Sequence, residues 1–422
     1  MLYPSRSLYP TDIMNTKIIA IVAVVAIIII GIGVYVAFNG NGGSDKESIT
    51  LDTDDMTLGV GDSAPLSIKV TPSTMEGQVE VIPSDSDVFS YEDGTVKGLK
   101  KGQSTITVKL GDLTNTINVN ITGIRVTDHT GKVLELDKPA ERVVVYTKYT
   151  AEAFVVMGAT DKVVATSKTV KSDSNLGKYF ENAADAGDVK PTSPDAALAN
   201  NADLVIIYDS DATIFEQSGI PVLSIGASKM DEIHNDIAVL GKVLGMNESA
   251  KKVLAWFDKY HDILEKESVK TDKSIRNAIE ASLTKFGMVG DTGSAGAVLA
   301  LAGGSNLYKG GNNYVDQSTL IEQNPQYYFA MMLNKNWNET GIQNKFSDIQ
   351  NRLGWDAIDA VKNKNVYVVS NDLVGGLRSI IGAMFFLSVL NDGIDYDVVQ
   401  MGNEYNALGN TDFNVNMVYR MQ

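Results

Sequence analysis

Cysteine is absent from this chain of 422 residues. Disulfides, thiolate metal sites, a cysteine nucleophile and a lipid-modified N-terminal cysteine are thereby excluded. Histidine is almost as rare. His129, His234 and His261 are the three, none with a second histidine at ligand spacing, so no histidine-rich zinc site and no resident metal is expected. Cations are short as well, 36 Lys and Arg against 52 Asp and Glu, for a formal net charge of −16. A nucleic-acid surface needs clustered Lys and Arg, so that class of partner is excluded. A nucleophile–base set is also missing. Thr292-Gly293-Ser294-Ala295-Gly296 resembles a nucleophile elbow without its first glycine, and no histidine follows it; an enzyme of that kind is excluded. Gly303-Gly304 has no G-K-[ST] after it and cradles no phosphate. No enzyme activity and no cofactor are expected.

What the chain does have begins with residues 18–38, IIAIVAVVAIIIIGIGVYVAF, an uninterrupted run of 21 apolar or glycine residues. That is enough to cross about 30 Å of hydrocarbon as a helix. Arg6 and Lys17 precede it and a polar linker follows, so the positive-inside tendency places the remainder outside the cell. The expectation is a signal-anchor at 1–38, with Met14 as the start, then a linker at 39–47. The protein would be single-pass in the cell membrane, its binding domain extracellular.

From 48 to 122 short alternating runs are separated by Gly, Pro and Asp turns. ITLDTDDMTLGVGD, APLSIKVTP, QVEVIP, STITVKL and NTINVNI read as strands at regular spacing, which predicts a small β-sandwich. The core G-x-V-x-G-x-x-x-G-x-x-x-I stands at Gly94, Val96, Gly98, Gly102 and Ile106. With it, 48–122 resembles the bacterial immunoglobulin-like family (group 2), which implies a spacer or adhesive module on a cell surface.

Residues 248–266 carry apolar side chains at Ala250, Val253, Leu254, Phe257, Tyr260, Ile263 and Leu264, one stripe of an α-helix with Asn247 as N-cap. A second helical pattern precedes it at Ile233, Ile237, Leu240 and Leu244, opened by the box-like Ser228-x-x-Asp231 and closed by Gly245. Strand–helix alternation lies on both sides. RVVVY (142–146), KVVAT (162–166), DLVIIY (203–208) and IPVLSI (220–225) come before it. Strand 277–283, helix 294–304, strands 327–332 and 365–370 and helix 382–390 follow. The pattern predicts an α/β fold of two doubly wound lobes, 124–227 and 271–422, joined by connecting helices at 228–270. Periodicity alone is equally compatible with a surface helix on one larger domain.

The segment at 124–167, IRVTDHTGKVLELDKPAERVVVYTKYTAEAFVVMGATDKVVATS, is followed in order by PTSPDAALANNADLVIIY, SAGAVLALAGGSNLY, STLIEQNPQ and GWDAIDAVKNKNVYVVS. This succession resembles the helical-backbone (class III) substrate-binding proteins of ABC importers for iron-siderophores, haem and cobalamin. The resemblance implies a monomer that captures a small-molecule metal chelate between its lobes and delivers it to a permease and its ATPase. It also implies that ligand contacts come from loops at the strand ends. Those are Tyr146, Lys148, Tyr149, Tyr208 and Asp209 in the first lobe, and Lys285, Phe286, Asn334, Trp337 and Arg378 in the second. Cations, an arginine and aromatics suit a planar or chelated anion, and Arg378→Ala is then expected to weaken the ligand with folding intact. The family's permease-docking carboxylates align with Asp195 and with Ser318, where the acid is missing; Asp316 or Glu322 stands nearby. The rival reading is a surface adhesin acting through the immunoglobulin-like domain.

Overall fold

In a computed structural model, which describes residues 47–208, 212–391 and 393–422, the chain divides into two compact units. The boundary falls between Thr122 and Gly123.

The first unit is all β. Asp55–Gly59, Leu113–Thr122, Gly102–Leu110 and Glu80–Pro83 form one sheet in that order; Ser63–Pro65, Thr95–Gly98 and Phe89–Glu92 form a second. Alternation along Gly102–Leu110 and Leu113–Thr122 buries Ile106, Val108, Ile117, Val119 and Ile121, which join Phe89 and Val96 in one core. The polar residues between them face out.

The second unit carries, among the described residues, two larger sheets. The first is fully parallel, in the order Ala184–Asp185, Val163–Thr166, Val143–Val145, Leu204–Ile207, Val222–Ser224. Its central strands are buried on both faces, as their continuous Val and Ile runs require. Strand order reverses between Val143–Val145 and Leu204–Ile207, so loops there open a crevice at the carboxyl ends. The second sheet is mixed. Asn277–Glu280, Tyr327–Met332 and Val366–Ser370 run parallel at its centre, and antiparallel strands flank them. The expected doubly wound second lobe is corrected in this respect. Its first strand ends at Glu280, where the expectation ran to 283, and pairs antiparallel with Gly287–Val289. Residues 281–286 are too few for a parallel crossover, which takes a dozen or more.

Between the sheets stand Met230–Val243 and Asn247–Ser268, the latter 22 residues and about 33 Å long. Ala250, Val253, Phe257, Tyr260 and Leu264 are buried as the stripe predicts, Leu254 and Ile263 only half so. Gly245 closes the first helix as expected, with φ 67°, but neither expected N-cap is made. Asn247 is already helical after an uncapped Met246, and Lys229, not Ser228, precedes the other helix. The two helices approach closely where Gly241 lies against Ala250; a Cβ on Gly241 would stand 2.5 Å from that of Ala250. The helix Val398–Gly409, which no periodicity disclosed, returns to Lys148–Met157, its Gly409 against the Val156 backbone.

The expected single-pass localisation is corrected. Among the described residues no helix is long and apolar enough to cross a membrane. The longest, Asn247–Ser268, presents a charged outer face. The run 18–38 that carried the expectation lies outside the described residues.

Gly241→Leu should force the helix pair apart and lower stability by about 1–3 kcal/mol, read as a lower urea midpoint at unchanged slope.

Candidate functional site

A cavity of about 800 Å³ is lined by residues from both halves of the second unit. The first half supplies Tyr149 and Tyr208; the connecting helices supply Lys229, Asp231 and His261; the second half supplies Asp291, Ser294 and the Val374-Gly375 turn. Tyr149 begins the helix Lys148–Met157 directly after the first strand. Its ring lies on Gly375 and Gly376, where added Cβ atoms would stand 2.3 and 2.5 Å away, so only glycine fits there. The Gly376 N–H donates to the Ser228 carbonyl at 3.0 Å, which joins the two halves through backbone. Tyr208 packs against His129 with ring centroids 4.9 Å apart and the planes tilted by 40°, and Lys229 lies 5.7 Å over its ring. Behind that loop the buried Asp236 accepts from the Gly226 and Ala227 N–H groups at 3.2 and 2.8 Å. Burial pushes its carboxyl up against the pull of those bonds.

Beside the cavity a polar chain crosses between the halves. Arg378 is 1% exposed and Glu152 2%. Arg378 Nε and Nη2 each donate to Glu152 at 2.7 Å, and Tyr405 donates to the same carboxylate at 2.7 Å. Arg378 Nη1 donates to Asp372 at 3.0 Å. Asp372 also accepts from Lys148 at 3.0 Å, from Asn175 at 2.8 Å and from Asn334, and Lys148 pairs in addition with Asp173 at 2.8 Å. Burial alone would raise the Asp372 carboxyl, but Arg378 and Lys148 hold it down at about 2. The same carboxylates hold Lys148 and Arg378 well above their ordinary values despite burial.

The ten expected ligand contacts separate accordingly. Tyr149 and Tyr208 line the cavity. Lys148, Asn334 and Arg378 converge on Asp372, and a free ligand guanidinium at Arg378 is corrected to a buried ion pair. Tyr146 is corrected to a core residue. It is fully buried against Phe215, and its hydroxyl, pushed to about 12 by burial, finds no hydrogen-bond partner among the described residues. Lys285 pairs with Asp348 at 2.8 Å, and Phe286 packs on Trp355 and donates its N–H to the buried Glu280. Both lie at the edge of a second cluster, exposed at Lys285 and half-buried at Phe286, in whose buried centre Arg352 Nη2 donates to Glu280 at 2.9 and 3.1 Å. Trp337 donates to the Asn416 carbonyl and faces a separate groove of about 790 Å³ with Phe346 and Tyr419. Asp209 lies outside the described residues. Sequence reasoning missed Glu152 and Asp372, though Glu152 had a signal: it is the one acid in the otherwise apolar stretch TAEAFVVM.

Asp195 starts the short helix Asp195–Ala199 and is exposed. Asp316 caps Gln317–Gln323, accepting from the Thr319 N–H at 2.7 Å and from Ser318 Oγ at 2.6 Å, bonds that lower its carboxyl pKa. Ser318 and Glu322 are exposed nearby. Among the described residues, His261, Asp262 and Glu265 bring donor atoms within 4.8 Å of one another, on a half-exposed helix face.

Arg378→Ala should destabilise by about 3–5 kcal/mol, because Glu152 and Asp372 lose their buried counter-charge; chemical denaturation measures it. Asp372 gives a pH dependence of definite sign. Its folded pKa of about 2 lies below the ~3.9 of an unfolded chain, so folding favours the ionised form. That stabilisation, about 2–3 kcal/mol, is complete above roughly pH 5 and is lost progressively as pH falls through about 2. Asp372→Asn should remove this part of the acid dependence in stability curves measured across that window.

The family model for the periplasmic binding protein matches residues 143–373, more than half the chain. No curated protein matches the sequence. Among solved structures, the chain is similar to the TroA-like periplasmic binding protein FepB of Veillonella parvula. The TM-score there is 0.63 at 18% identity, over 71% of this chain and 100% of that one. It is also similar to the molybdate periplasmic binding protein MolA of Haemophilus influenzae bound to molybdate (TM-score 0.56, 17% identity, 69% and 99% covered). A third is CeuE of Helicobacter pylori with Ni(II) bound (0.53, 19%, 68% and 97%). At these identities the likeness is one of fold, and it spans nearly the whole of each relative. The two sheets, the helical connector and the matched segment agree: the chain belongs to the periplasmic binding protein family.

Proposed function

We propose that the second unit is the extracytoplasmic solute receptor of an ABC importer. It holds a solute between its lobes and hands it to a permease and its ATPase, with no chemistry on the solute. The observation that carries this reading is the cavity of about 800 Å³, lined from both lobes and from the long helix. Its size and its mixture of rings, hydroxyls and carboxylates suit a drug-sized solute. The class we infer is a metal chelate, in keeping with the molybdate and Ni(II) held by MolA and CeuE. In this reading 124–227 and 271–422 are the lobes, 228–270 the connector, and the receptor acts as a monomer. Tyr149 and Tyr208 stack on the chelate, and the exposed Asp195, Asp316 and Glu322 meet the permease, with Ser318 beside them.

The first unit reads as an immunoglobulin-like spacer at 48–122. Two positions of its motif support that. Gly94 has φ 76°, a left-handed turn that favours glycine, and a Cβ on Gly98 would stand 2.6 Å from the Gly59 carbonyl oxygen.

A thermal-shift panel of haem, cobalamin, ferric siderophores and molybdate on the full chain tests the receptor reading. A true ligand at 100 times its Kd should stabilise the fold by roughly 2.7 kcal/mol. Tyr208→Ala should weaken that ligand by about 1 kcal/mol, the worth of a ring contact. No response anywhere in the panel overturns the chelate assignment and favours adhesion through the first unit.

A further inference from the structure

At the junction of the lobes a set of donors converges on one point, and the group they hold is part of the chain. Asp372 Oδ1 accepts from Lys148 Nζ at 3.0 Å. Its Oδ2 accepts from Asn175 Nδ2 at 2.8 Å, from Arg378 Nη1 at 3.0 Å and from Asn334 Nδ2. Lys148 and Asn175 come from the first lobe, Asn334 and Arg378 from the second. Two cations and two amides directed at both oxygens of one carboxylate are the groups from which a receptor for a small carboxylate is made. The backbone reinforces this: the Asp372 N–H donates to Ser370 Oγ at 3.3 Å, and Ser370 Oγ donates to Asn334 at 3.1 Å. The donors are therefore fixed from behind.

We propose that Asp372 is a tethered occupant of an anion site at the lobe junction, a site that takes a free carboxylate of formate size once that side chain is removed. In the native chain the tether gives the carboxylate a high effective concentration. It draws the lobes together without solute and keeps free anions out. Glu152 and Asp173 already flank the two cations, at 2.7 Å from Arg378 and 2.8 Å from Lys148. Even so, Asp372 stays ionised down to about pH 2, so the junction favours an anion despite those neighbours. The inference does not rest on the import reading.

Asp372→Ala removes only the carboxylate, and formate restores the missing atoms. Full-length wild type, Asp372→Ala and Asp372→Asn are melted at pH 7 in sodium formate and in sodium chloride of equal ionic strength. Formate should raise the Tm of Asp372→Ala saturably by roughly 2–4 °C over chloride and leave the other two unmoved, because their side chains fill the site. Should Asp372→Ala fail to fold in chloride, recovery of a cooperative melt in formate is the same positive result. Equal shifts in all three proteins, or no formate effect in Asp372→Ala, overturn the proposal.

Discussion

Arg378 and Glu152 meet across 226 residues of chain, each almost fully out of water. Burying such a pair costs several kcal/mol per ion, and attraction offsets this only when the geometry is good and the remaining donors and acceptors are satisfied. Here they are: the pairing is bidentate, Tyr405 takes a place on Glu152, and Asp372 takes the last face of the guanidinium. The arrangement of the lobes follows from it. Any motion that parts Lys148–Met157 from Ser379–Leu390 strands two charges in a dry interior. The long helix adds resistance of another kind, since a continuous helix without proline or glycine does not bend sharply.

The frame of the second unit was legible because its central strands are buried on both faces and read as unbroken Val and Ile runs. The connector was legible because its stripe, Ala250 to Leu264, keeps one period for about four turns. The hairpin at Glu280–Gly287 was not, because a tight loop and the start of a helix share the same polar residues. The helices Glu339–Gln350 and Val398–Gly409 were missed for another reason: few of their residues are buried, so the apolar period is weak. Of the residues expected at strand ends, Tyr149 and Tyr208 line the cavity, and the partners of the cations were misjudged. Lys148, Arg378 and Lys285 are cations near a cleft in sequence, yet each meets a carboxylate that lies far along the chain or around a helix. A window of ten residues holds one of these carboxylates, Asp372 beside Arg378, and none of the others.

The consequence for the cavity is one of charge. The cations that suggested a grip on an anion are engaged elsewhere. Of those that remain on its wall, Lys229 pairs with Glu232 at 2.8 Å, and the wall carboxylate Asp291 pairs with Lys309 at 3.1 Å. The rest of the lining is phenol rings, serine hydroxyls, His261, Asp231 and the apolar Met230, Val298, Leu301 and Val374. Such a wall carries few charges that are not already paired within the chain.

The return of Val398–Gly409 to the first lobe also bears on how the chain is made. Glu152 emerges early in synthesis, and its partners Arg378 and Tyr405 emerge more than two hundred residues later. Until then the acid in the first lobe's apolar helix lacks the guanidinium and the phenol that receive it, and Val156 lacks the Gly409 that packs on its backbone. The first lobe therefore cannot reach its final packing as an independent early product. Its last step waits for the far end of the second lobe, a high-contact-order closure that is slow and leaves apolar surface open meanwhile.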